Sequence, residues 1–172
     1  MAIGRSQPAS ALRGGAIAAL ICCVSATPAR ADDTRALRRL ALVIGNNDGG
    51  EGTRPLLYAG DDARKFHDIL LRLGGVRRED ATLLLGGTAE EALRAMTALE
   101  RKAQEASRRG ERTALFLYYS GHAQDGALRL GQTRLPFAAL KNRLAQAPAD
   151  VRVGIFDACQ SGEMTRRKGA RR

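Results

Sequence analysis

Four short apolar runs, separated by stretches of helical spacing, constrain this chain more than any other feature. The first, Ala41-Leu42-Val43-Ile44, is uninterrupted and stops at Gly45. A run without polar alternation suits a strand buried on both faces, as in a parallel sheet. Runs at 81–85, 113–119 and 151–156 predict three more strands. Asp61 and Asp62 open a helix, where carboxylates suit the positive end of the helix dipole. Ala63, Phe66, Leu70 and Leu73 then recur at helical spacing, and Gly74-Gly75 ends it. Thr88 and Glu91 form a capping-box pattern, followed by Leu93, Met96, Leu99, Ala103 and Ala106 on one face and a stop at Gly110. Asp125-Gly126 signals a hairpin, with Leu128 and Leu130 alternating around Arg129. Pro136 starts a third helix with Phe137, Leu140 and Leu144 on one face.

Strands that alternate with helices in this way predict an α/β fold, a mainly parallel sheet with helices on both faces. At 172 residues the chain has room for one such domain. Sites in these sheets lie beyond the carboxyl ends of the strands. There the sequence places unusual side chains. The third strand leads into Ser120-Gly121-His122, and the fourth into Asp157-Ala158-Cys159.

The first 31 residues do not read as fold. Arg5 and Arg13 precede an uncharged stretch, 14–26, and Ala29-Arg30-Ala31 is a small-x-small site. That order predicts a secretory signal peptide over 1–31, cleaved before Asp32, and an exported protein, periplasmic or secreted. The stretch is shorter than the roughly 20 residues of a membrane-spanning helix, so no stable span is expected; an uncleaved anchor is the alternative. Removing Arg5, Arg13 and Arg30 with no acids takes the net charge from +10 to +7. Residues 32–165 are then the folded domain, and 166–172, with Arg166, Arg167, Lys168, Arg171 and Arg172, a basic tail. The tail has no aromatic residue to stack on bases, so nucleic acid is not expected as a partner.

Export removes Cys22 and Cys23 and leaves Cys159 as the one thiol of the mature chain. A lone cysteine in an oxidising compartment is either buried or used. A free thiol is mostly protonated at neutral pH. An imidazole beside it can take its proton and later protonate a leaving amine. Spacing alone leaves the bland reading open, a small buried cysteine and a satisfied histidine. His67, mid-helix beside the apolar stripe, reads as structural.

The wording of the two motifs goes further. Tyr119-Ser120-Gly121-His122 and Asp157-Ala158-Cys159-Gln160-Ser161-Gly162 resemble the histidine and cysteine motifs of the caspase family, with a closer likeness to its bacterial and metacaspase-like branch. Ala41-Leu42-Val43-Ile44-Gly45-Asn46 resembles that family's first strand, and Asp62-Ala63-Arg64-Lys65-Phe66 the start of its first helix. The resemblance implies a caspase-like three-layer sandwich and a cysteine endopeptidase. In it Cys159 would be the nucleophile and His122 the general base and acid. The backbone N–H groups of Cys159 and Ala123 would form the oxyanion hole. Ala123 stands where the family usually has Gly. The branch also implies that Asp157 sits at the base of the substrate pocket and favours cleavage after Arg or Lys; a turn-capping role for Asp157 is the rival reading.

Two departures from the family pattern shape the alternatives. The His-to-Cys separation is 37 residues, a compact spacing that still holds a hairpin, a helix and a strand. The further strands that normally follow the cysteine are absent, so the domain reads as C-terminally truncated. That leaves a truncated product, a need for a second polypeptide to complete the sheet, or an inactive caspase-fold module that binds or regulates. Other classes fit poorly. The segment 45–52 is glycine-rich but matches neither nucleotide-binding fingerprint. Ser161 lacks the G-x-S-x-G elbow. Two histidines and one mature cysteine, widely spaced, make no metal cluster, and no cofactor is expected. The expected partner is a peptide or protein substrate.

Overall fold

The computed structural model describes residues 36–158. The predicted signal peptide, Cys159 and the basic tail lie outside the described residues. The elements in order are β1 (Leu37–Asn46), α1 (Ala59–Arg72), β2 (Ala81–Leu85), α2 (Ala89–Arg108), β3 (Arg112–Gln124), β4 (Ala127–Leu130), β5 (Thr133–Pro136), α3 (Phe137–Gln146) and β6 (Val151–Ala158). The parallel part of the sheet runs β2-β1-β3-β6. The antiparallel arms β4 and β5 continue from the far end of β3. The α/β architecture with a mainly parallel sheet is as the apolar runs predict.

Both faces of β1 are buried because its side chains alternate between two helical layers. Leu40, Leu42 and Ile44 join Met96, Leu99 and Ala103 of α2 and Leu140 and Leu144 of α3. Ala41 and Val43 face the other way, into a smaller cluster with Ala63 and Leu70 of α1. That second layer also holds Val76 and Tyr118, with the Phe66 ring stacked on Tyr118 at 4.2 Å. A Cβ on Gly45 would stand 2.6 Å from the Ala63 Cβ and 2.7 Å from the Ala59 carbonyl oxygen, so α1 rests directly on the strand end. The α2 start is the capping box read from sequence, with the Glu91 N–H donating to Thr88 Oγ1 and the Thr88 N–H to Glu91 Oε2.

Two elements differ from the sequence reading. β3 does not stop at Tyr119 but continues to Gln124. Its parallel pairing with β1 ends at Gly121, and residues 122–124 pair antiparallel with β4. His122 therefore lies inside a strand and not in a loop beyond one. The second difference is β5, unread from the sequence. Of Thr133–Pro136 only Leu135 is buried, so the strand carries no apolar alternation to read.

Opposite ends of the sheet are built differently. At the amino end of β1, Asp80 is fully buried and takes Arg38 Nε and Nη2 at 3.0 and 2.6 Å and Arg77 Nη2 at 2.7 Å. Burial alone would raise its carboxyl pKa, but the two guanidinium groups outweigh that and hold it below the ordinary value. The carboxyl ends of the strands carry the candidate site.

Candidate active site

The pairing register decides what meets at the carboxyl end of the sheet. β3 and β6 run parallel with Ser120 beside Asp157 and Gly121 beside Ala158. Alternation along β3 then puts Tyr118, Ser120 and His122 on the face that carries α1. Asp157 shares that face in β6, beside Ser120.

His122 is held from several directions. Its Nε2 lies 2.9 Å from the carbonyl oxygen of Arg54, in the loop between β1 and α1. A carbonyl only accepts, so Nε2 carries the proton, and in the neutral ring Nδ1 keeps its lone pair. The backbone of Gly49 backs the ring. A Cβ there would lie 2.6 Å from the imidazole Cδ2, so the position admits no side chain. Below the ring, the fully buried Tyr119 hydroxyl lies 2.7 Å from the His122 carbonyl and 2.9 Å from that of Arg129, sharing one proton between them. Burial pushes that phenol well above its ordinary pKa, so it stays a donor. Gly121 must be glycine here, because a Cβ would sit 2.5 Å from the Tyr119 hydroxyl oxygen.

The hairpin orients the next backbone donor. Asp125 and Gly126 both have positive φ, 50° and 70°, the two-residue turn whose closing pair is hydrogen-bonded. Gln124 pairs with Ala127 at that closure, and Ala123 with Leu128 one step back. Hydrogen-bonded and open pairs alternate, so the Ala123 N–H points away from β4. β4 lies on the β1 side of β3, where the Gly131 N–H donates to the Asp48 carbonyl at 2.9 Å. The Ala123 N–H thus faces the side on which β6 pairs.

Asp157 is exposed and lies in β6, paired with Ser120 of β3. It is one of two carboxylates near a single hydroxyl. Tyr118 is pushed above its ordinary pKa by burial first, then by the charges of Asp157 and Asp62, while a hydrogen bond with the Ser120 hydroxyl works the other way. Asp62, read from sequence as a helix-start acid, acts weakly on the same phenol and lies 3.8 Å from Lys65 Nζ. The Arg54 carbonyl and Gly49 were also missed. One is a backbone atom with no sequence signature, and the other hid in a glycine-rich loop. His67 Nδ1 lies 3.8 Å from Asp68 Oδ1 on α1. Cys159 lies outside the described residues. Among the described residues no group of His, Cys, Asp or Glu is placed to hold a metal ion, and no helix is long and apolar enough to cross a membrane.

No curated protein matches the chain. The family model described as the caspase domain matches residues 38–171, from the first residues of β1 through both motifs. With a mainly parallel sheet between two helical layers, and with the histidine motif at the end of its central strand, this chain belongs to the caspase family of cysteine peptidases.

Proposed function

We propose that this chain is a cysteine endopeptidase using a Cys159–His122 dyad and cleaving after Arg or Lys. The observation that carries the reading is the hydrogen bond from His122 Nε2 to the Arg54 carbonyl. It leaves Nδ1 as the free base. Ala158, the residue before Cys159 in the sequence, is paired with Gly121, the residue before His122.

In this mechanism Nδ1 accepts the thiol proton as Sγ attacks the scissile carbonyl carbon. The N–H groups of Ala123 and Cys159 stabilise the oxyanion. The imidazolium then returns the proton to the leaving amine, and the acyl-enzyme remains on sulfur. Water, deprotonated by the same Nδ1, attacks the thioester, releasing the acid and the thiol. Asp157 supplies negative charge for a basic side chain next to the scissile bond.

The test uses the full chain and peptides differing only in the residue before the scissile bond. Turnover of Arg and Lys peptides, abolished by Cys159→Ala and His122→Ala, is expected. Asp157→Asn should lower kcat/KM for the Arg peptide by about 10- to 100-fold, the loss of one charge-assisted contact. Preference for Asp at that position would refute the basic specificity.

A second reading is a non-catalytic caspase-fold module, or one completed by another polypeptide. It is favoured by the exposure of Val151 and Ile155 on β6, which pairs with β3 alone among the described residues. A Cys159 that ignores a thiol-reactive peptide ketone, in wild type as in His122→Ala, would select it. We further propose that residues 1–31 are removed on export; Asp32 as the mature amino terminus is the expected sequencing result.

A further inference from the structure

Arg129 stands directly opposite His122 across the β3–β4 pair, yet its side chain reaches the loop that follows β1. Its Nε donates to the Gly49 carbonyl at 2.8 Å and its Nη2 to the Glu51 carbonyl at 3.1 Å. Gly49 is the residue whose backbone rests against the imidazole. Five residues on, the same loop supplies the Arg54 carbonyl that takes the Nε2 proton. The segment between turns sharply, with Gly50 and Gly52 at φ 80° and 78° and the Thr53 N–H on the Gly50 carbonyl. The loop has bonds of its own, from the Asp48 and Gly50 N–H groups to the Asn46 and Asp48 side chains and from the Leu56 N–H to the Asn47 carbonyl, but none of them reaches the hairpin. It is tied to the hairpin by the Gly131 N–H at Asp48, by Gln132 Oε1 accepting from the Glu51 N–H at 3.4 Å, and by the Arg129 fork. Of these ties, the fork is the one that joins the strand residue opposite His122 to Gly49, the loop residue against its ring. The Arg129 backbone is itself anchored, since its carbonyl accepts from the buried Tyr119 hydroxyl.

We infer that Arg129 is the positioning residue for His122: its guanidinium sets the 48–54 loop so that Gly49 backs the ring and the Arg54 carbonyl holds the Nε2 proton. The inference rests on the peptidase reading only for its kinetic consequence. A planar fork can span two carbonyls, whereas a lysine offers one compact ammonium. Arg129→Lys should therefore restore part of what Arg129→Met loses.

The experiment follows the Nε2–H of His122 by proton–nitrogen NMR in the full chain. The chain has two histidines, so His67→Gln assigns the signals. Wild type should show a ring N–H protected from solvent. Arg129→Met should speed its exchange by about tenfold or more, with Arg129→Lys between, as expected for a loosened local closure. Under the peptidase reading kcat should fall by about 10- to 100-fold with KM nearly unchanged, the cost of a misplaced base. An unchanged ring N–H in folded Arg129→Met overturns the inference, even if the wild type is active. If Arg129→Met does not fold, an unchanged ring N–H in Arg129→Lys does the same. Faster exchange in a chain with no peptidase activity leaves the inference standing and removes the proposed function.

Discussion

The two strands that lead to the candidate dyad are supported very differently. The His122 side is enclosed: a carbonyl on Nε2, a glycine backbone against the ring, a guanidinium fork across the hairpin and a buried phenol beneath. The β6 side is open. Its strand pairs with β3 alone among the described residues, and Val151 and Ile155 are 42% and 39% exposed. Its main helical cover is α3, with Phe137 edge-on to Phe156 and Gly154 pressed close to Leu144. The difference teaches that the base is preorganised by the fold already present, while the strand leading to the cysteine gains order chiefly from one ladder. Preorganised dipoles and donors do most for catalysis where they need no rearrangement.

The sharpest way to break this comparison is to perturb the sheet elsewhere. Asp80→Asn, at the amino end, leaves two arginines without their buried carboxylate and should cost about 3–5 kcal/mol of stability. It should leave kcat of the folded fraction unchanged; a matching loss of kcat would mean that the two ends are not separable. The same group sets a pH dependence. Its folded pKa lies below its unfolded one. Its contribution is therefore complete above the unfolded value, about 4, and lost as pH falls through the folded value. Urea melts from pH 6 to pH 2 should show wild type losing more stability than Asp80→Asn over that acid window.

Gly49→Val comes next. It places a branched side chain where even a Cβ would sit 2.6 Å from the imidazole. Under the peptidase reading kcat should fall about 100-fold, near 2.7 kcal/mol of barrier. A fully active variant would show that the ring's backing does not matter. Tyr119→Phe removes the proton shared by the His122 and Arg129 carbonyls and should cost about 1–2 kcal/mol in chemical denaturation. The smallest effect belongs to β6. Ile155→Ser, on the open side, should change stability by no more than about 0.5 kcal/mol. A loss of several kcal/mol there would show that β6 is as tightly covered as β3, and the comparison would fail.

Much of the fold was legible because it rests on local and periodic signals. The unbroken run at 41–44 marks a strand buried on both sides, and Thr88 with Glu91 starts a helix through bonds three residues apart. The Asp125-Gly126 turn is likewise a local matter of two residues able to take positive φ. What escaped the sequence is non-local or made of backbone. The end of β3 was read as a loop because its change of partner, from β1 to β4, leaves no mark in the strand itself. β5 was missed because Leu135 is its one buried residue, so no apolar alternation shows within it.

By itself, then, the amino-acid sequence determined the α/β alternation, the helix starts and the two motifs that name the family, since each depends on residues close together in the chain. Tertiary structure alone decided the register that sets Gly121 beside Ala158, the carbonyl 68 residues from His122 that accepts its Nε2 proton, and the arginine that reaches that loop from the opposite strand. Those contacts are made by backbone atoms, which every residue carries alike, so only the path of the chain selects which of them meet the imidazole.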